Sequence, residues 1–100
     1  AENFAKKADP GSLPPEFYDT LGAIQEAANQ MPKAEESYSA GLKRSPEHPS
    51  LNFRMGRLLA SDRSRTARAA SCLNIAKAHR DRLAPEMARD LDKLIASLPQ

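Results

Sequence analysis

The chain has no valine, and isoleucine and threonine supply only three and two of its 100 residues. β-Branched side chains are stiff at χ1 and settle on the pleated surface of a sheet, so their scarcity argues against strands. Tryptophan is absent, and the aromatics amount to three Phe and two Tyr. A single cysteine, Cys72, excludes an intrachain disulfide and a Cys-based zinc cluster. No apolar run approaches the ~18 residues of a membrane span, so no membrane insertion is expected. No signal-peptide pattern opens the chain. Neither a Gly-rich phosphate loop nor a G-x-S-x-G elbow occurs. His48 and His79 stand far from Cys72 with no carboxylate at ligand spacing. The expectation is a chain without metal, cofactor or catalytic residues.

What is present favours helix. Of the 40% of residues that are apolar, 17 are Ala. Ala, Leu, Lys, Arg and Glu enter helices at little entropic cost, so the fold class expected is all-α. An Ala-rich interior suits closely approached helices stacked as hairpins. One hundred residues allow a modest core. The net charge of +2 hides an asymmetry. Residues 1–50 carry five cations and eight anions, so −3, and residues 51–100 carry ten and five, so +5. The two halves present different faces to a partner.

Apolar spacing and turn chemistry place the elements. A short helix over 1–8, with Phe4, Ala5 and Ala8 on one side, is expected to be the tail of a longer one, and a turn follows over 9–12. Pro14-Pro15-Glu16 opens a helix to about 29, with Phe17, Leu21, Ile24 and Ala28 as its apolar stripe. Further helices are expected over 32–44, 50–60, 65–80 and 84–97. Leu51, Met55, Leu58 and Leu59 form the stripe of the third. Met87, Leu91, Leu94 and Ile95 form that of the fifth.

A spaced set links these helices. It reads Tyr18-x2-Leu21-Gly22, then Ala34-x3-Tyr38-x2-Gly41-x4-Pro46. Leu21-Gly22 recurs 34 residues on as Met55-Gly56. Ala69, Leu73 and Ala76 repeat the second set after one inserted residue near Arg65. Self-similarity at this period marks a helical repeat array. A Gly inside a helix costs roughly 1 kcal/mol relative to Ala, so Gly22 and Gly56 call for a packing reason, namely close approach of a neighbouring helix. Tyr38 is the large residue expected to fill the space that Gly22 leaves.

On these residues the chain resembles the tetratricopeptide repeat family, whose repeats run aromatic-x2-Leu-Gly-x2-Tyr and then Ala-x3-Phe/Tyr-x2-Ala/Gly with a closing Pro. Residues 15–48 resemble one repeat, with Gln25 where Tyr is usual. Residues 49–82 resemble a degenerate second, with Asn52 in the first aromatic place and no closing Pro. Residues 1–10 look like the end of a preceding repeat, and 84–97 like the solvating helix that closes such arrays. The resemblance implies antiparallel hairpins stacked as a superhelix. It also implies a non-catalytic scaffold that holds a peptide segment in a concave groove.

In this family the groove is lined by the first helix of each hairpin. Carried over, its walls are acidic Asp19 and Glu26, and Phe53 with basic Arg54 and Arg57. Phe53 falls off the stripe of its own helix. It is either a partner anchor, as aromatics and Arg dominate binding hot spots, or a packing residue. The clamp by which some family members hold a chaperone's terminal carboxylate does not carry over, because Asp19, Ala23, Ser50 and Phe53 stand in its places. The Arg cluster suits an acidic peptide, or it is a solvated face whose Arg stems cover Ala-rich helix. A nucleic acid partner is disfavoured by the small net charge. Two other roles remain open. The chain is a structural cap ending a longer array with an upstream binding or enzymatic domain, or it self-associates through a truncated N-terminal end.

Overall fold

The computed structural model describes residues 13–98. The expected helix over 1–8, the turn over 9–12 and the remnant repeat over 1–10 lie outside the described residues. Five α-helices follow in order: α1 Pro15–Ala27, α2 Met31–Arg44, α3 Pro49–Ala60, α4 Thr66–Ala78 and α5 Pro85–Ser97. Short 3-10 turns occupy Arg63–Arg65 and Arg80–Arg82, and no strand occurs among the described residues. The chain is all-α.

Proline sets most of the helix starts. Pro15, Pro49 and Pro85 each take the first helical position, and Pro32 takes the second of α2. An N–H missing there had no intrahelical partner to lose. His48 caps α3, its Nδ1 accepting from the Leu51 N–H at 3.2 Å. The helix therefore opens at Pro49, one residue before the expected start. α4 has no such proline. The turn before it is capped by Asp62, whose carboxylate accepts from the Ser64 N–H at 3.0 Å and the Ser64 hydroxyl at 2.8 Å. These bonds hold the Asp62 carboxyl below its ordinary range. The expected helix over 65–80 is thus shorter, with a 3-10 turn at either side.

The chain divides into two units, between Pro46 and Glu47. The first holds the α1/α2 hairpin. A three-residue connection forces its helices antiparallel. α1 stops two residues short of its expected end because Asn29 turns left-handed, with φ 62°. The Gln30 N–H donates to Gln25 O at 2.8 Å and the Asn29 N–H to Glu26 O at 2.9 Å. That pair of bonds is a Schellman closure, and Asn is one of the few side chains that tolerates its left-handed residue.

Gly22 explains how α1 and α2 meet. A Cβ there would lie 2.6 Å from Tyr38 Cδ1 and 2.8 Å from Cζ, and nearer still to Cε1. The ring fills the place of the missing side chain. Ala34 and Tyr38 are fully buried, and Tyr18, Gly22, Ser37 and Gly41 are buried with them. Ser37 donates to Gln25 Oε1 at 2.6 Å, so the glutamine at the usual tyrosine place has a polar partner on the facing helix.

The expected apolar stripe of α1 is corrected here. Phe17 is 46% and Ile24 61% exposed, Ala28 is exposed, and Leu21 is half-buried. The face that meets α2 is centred on Tyr18 and Gly22, one turn apart. Phe17 and Ile24 project to another side of the same helix, where Phe17 makes an edge-on contact with Tyr18 at 5.2 Å.

The second unit repeats the hairpin and adds a helix. A Cβ on Gly56 would lie 2.6 Å from both Leu73 Cγ and Cδ2, so Leu73 stands to Gly56 as Tyr38 does to Gly22. The inserted residue falls in the α3–α4 connection, which spans 61–65 against 28–30 in the first hairpin. The three- and four-residue spacings inside α4 survive, and Ala69, Leu73 and Ala76 are all fully buried. Asn52, in the place of Tyr18, is buried with its side chain donating to His48 O at 2.9 Å. α5 then docks on this hairpin. Leu91 joins Phe53, Leu73 and Ala76 in one cluster, with Leu83, Met87, Leu94, Ile95 and Leu98 packed around it.

Candidate functional site

α3 is buried round most of its circumference, from Leu51 through Asn52, Phe53, Met55 and Gly56 to Leu58 and Leu59. Arg54, half-buried, and Arg57, exposed, are the charges it presents. Arg57 lies four residues after Phe53, one turn on, and its guanidinium sits over the Phe53 ring at 5.4 Å from the centroid.

α5 brings a second wall. Asp90, Lys93, Leu94 and Ser97 recur at three and four residues and so share one helical face. Together with Phe53 and Arg57 they line an open pocket of about 370 Å³. Of its lining residues Phe53 is buried, Leu94 is half-buried and the other four are exposed. Its rim carries two cations, Arg57 and Lys93, and one anion, Asp90. The volume lies at the lower end of the ~300–1,000 Å³ range of small-ligand clefts.

The five residues expected to line a groove are therefore placed differently from one another. Phe53 is only 2% exposed and belongs to the core under α5, although it also lines the pocket. Arg57 is brought against it. Asp19, half-buried, and Glu26 lie on α1 in the first unit. Glu26 Oε1 accepts the Tyr38 hydroxyl proton at 2.5 Å, which ties this carboxylate to the hairpin seam. Of the pocket's residues, Asp90, Lys93, Leu94 and Ser97 were not read as a site. Their shared helical face was the available signal.

The Arg-rich half is partly committed to internal pairs. Arg80 holds Asp92 bidentately, Nε to Oδ1 at 3.1 Å and Nη2 to Oδ2 at 2.6 Å. The pair draws the Asp92 carboxyl below its ordinary range and lifts the Arg80 guanidinium above its own. Arg65 pairs with Asp62 at 3.1 Å, and His79 lies 3.5 Å from Glu47. Arg63, Arg68 and Arg82 are exposed.

Cys72 is buried, and desolvation raises its thiol pKa against the opposing charge of Arg68, which disfavours the nucleophilic thiolate. Among the described residues no group of His, Cys, Asp and Glu is placed to hold a metal ion, and no helix is long and apolar enough to cross a membrane. Comparison with family models, with curated proteins and with solved structures finds no match.

Proposed function

We propose that this chain is a non-catalytic interaction module of tetratricopeptide type, holding a segment of another protein. The observation that carries the reading is the open pocket on α3 and α5, lined by Phe53 with the Arg57 guanidinium over its ring and by Leu94. Aromatic and Arg side chains at a partly desolvated pocket are the usual makings of a binding hot spot. The repeated glycine-to-large-residue packing of the two hairpins supports the repeat assignment, since each hairpin is built by the same device. Asp19 and Glu26 in the first unit and Arg54 and Arg57 in the second are the charged contact residues this proposal assigns.

A second reading rests on α5. Its inner face closes the second hairpin with Ala88, Leu91, Leu94 and Ile95, while Glu86, Arg89, Asp90, Asp92 and Lys93 are exposed. Such a helix is what the end of a repeat array needs for solubility. It would make the chain a terminal cap.

Affinity capture with the chain and an Arg57→Glu variant, both checked for helicity by circular dichroism, separates the two readings. A protein retained by the natural chain and lost by the variant, whose segment then binds directly as a synthetic peptide, supports the module. Equal recovery on both overturns it and leaves the cap. Phe53→Ala is the wrong probe, because truncating so buried a ring costs about 3–5 kcal/mol of stability.

A further inference from the structure

We infer that the first hairpin carries a docking face of its own, along the apolar stripe of α1, for an amphipathic helix of a partner protein whose apolar side is flanked by Asp or Glu. The face lies wholly in the first unit and does not depend on the α3–α5 pocket, so neither reading falls with the other. Phe17, Leu21, Ile24 and Ala28 recur at intervals of four, three and four residues, the narrow seam by which one helix meets another. At 1.5 Å per residue this seam is about 16 Å long, roughly three turns. Phe17 and Ile24, 46% and 61% exposed, leave it open. The corresponding places 34 residues on are Leu51, Met55 and Leu58, and all three are buried. The second hairpin thus buries the face that the first leaves bare.

Two hydrogen bonds sort the charges of this hairpin. On one side of the α1/α2 contact the Ser37 hydroxyl donates to Gln25 Oε1. Leu21 and Ala28 lie one turn to either side of Gln25, and Lys33 and Ala40 one turn to either side of Ser37, so the apolar stripe adjoins that row of α2. On the other side the Tyr38 hydroxyl donates to Glu26. Asp19 and Glu16 precede Glu26 by seven and ten residues and share its side. The acids of α1 therefore point away from the stripe. The edge of α2 beside the stripe is cationic, with Lys33 near one end, Arg44 near the other, and Lys43 and the lone acid Glu36 further out. Lys33, Lys43 and Arg44 are exposed and enter no ion pair or hydrogen bond among the described residues. Lys33 also stands in the first turn of α2, where the helix macrodipole disfavours a cation, so the stability of α2 does not account for it. Three cations against one acid call for a partner that brings acids to this edge. A second copy docked about a twofold axis would set these cations against their own kind. Residues 1–12 hold two lysines and two acids and bring no net charge.

The test titrates the full chain with a designed peptide and follows amide chemical shifts. The peptide is a blocked helix of about four turns with Leu at four-three-four spacing and Glu along both flanks. Amides around Phe17, Leu21, Ile24, Lys33 and Arg44 should shift. The same peptide with Gln for Glu should bind about two- to fivefold more weakly for each cation engaged, and added salt should shrink the gap. Lys33→Gln combined with Arg44→Gln, both at exposed positions, should leave the chain folded and remove the Glu-over-Gln preference. Ile24→Glu, at a position 61% exposed, should also leave it folded and abolish the shifts. Equal binding of the Glu and Gln peptides, or shifts around Phe53 and Leu94 instead, overturns the inference. Contacts of residues 1–12 with Phe17 or Ile24 in the free chain would overturn it in favour of the chain's own segment. A dimer in sedimentation that Ile24→Glu dissolves would overturn it in favour of a second copy.

Discussion

The closest packing in the first hairpin can be tested by giving Gly22 the side chain it lacks. Gly22→Ala sets two effects against each other. Ala is better than Gly in a helix interior by about 0.5–1 kcal/mol. Against this, the new methyl would stand 2.6–2.8 Å from ring atoms of Tyr38, far inside contact distance. The ring has no room to retreat, because Tyr38 is fully buried and its hydroxyl is bonded to Glu26. Overpacking of this kind costs about 1–3 kcal/mol. The clash wins, and the net loss is about 1–2 kcal/mol. In a chain of this size that lowers the melting temperature by roughly 4–8 °C per kcal/mol. Tyr38→Ala alone should cost about 3–5 kcal/mol as a large-to-small core change. With the ring gone the methyl has space, so Gly22→Ala should then stabilise by up to about 1 kcal/mol, the bare propensity term. Tyr38→Phe is the control: the ring remains, and Gly22→Ala should hurt as much as in the natural chain. Urea and thermal unfolding followed by far-ultraviolet circular dichroism read all five variants, the three single changes and the two doubles. A Gly22→Ala protein more stable than the natural one, or effects of the two sites that simply add, would refute the reasoning.

Three other outcomes are expected. Asn29→Ala should destabilise the first hairpin by about 1–2 kcal/mol, since Ala resists the left-handed turn, whereas Asn29→Gly should cause no loss; equal melting of the two variants would remove the turn from the account. The Cys72 thiol, raised by desolvation, should react with thiol reagents far more slowly in the folded chain than in urea. The stability its burial lends is present below the thiol's unfolded pKa and falls as pH rises through the folded one, so a folded chain modified as fast as the unfolded one contradicts its placement. Asp92, drawn down by Arg80, favours the fold above the ordinary carboxylate range, a contribution lost as pH falls through its folded value. Carboxyl titration by nuclear magnetic resonance should show that value return toward the ordinary one in Arg80→Gln, and no change would mean the bidentate pair does not persist in solution.

Much of the second-helix packing could be read directly from spacing. Ala34, Tyr38 and Gly41 are buried, and so are Ala69, Leu73 and Ala76, because three- and four-residue intervals fix one face of a helix wherever it lies. The glycines were equally readable, since a residue that weakens a helix stays only where a neighbour needs the room. Two features of the first unit were not. Phe17 and Ile24 make an apolar stripe by spacing, yet the face chosen is the one holding the smallest residue, Gly22, because only there can Tyr38 enter. Glu26 reads as an acid of the groove wall until Tyr38, twelve residues on, is folded back against it.

Among the described residues, the sequence by itself determined the helices, their hairpin pairing and the absence of strands, for these follow from local propensity, proline starts and short connections. The fate of Phe53 was decided by tertiary structure alone. Within α3 it falls off the stripe of Leu51, Met55, Leu58 and Leu59, and nothing local says what covers that side. Leu91 of α5 covers it, and the same helix supplies Asp90, Lys93, Leu94 and Ser97 to the pocket beside it. Periodicity is a property of one helix, whereas burial and pocket formation depend on which distant helix arrives at each face. Those contacts join residues nearly forty apart in the chain, across a span where no repeating interval carries the information.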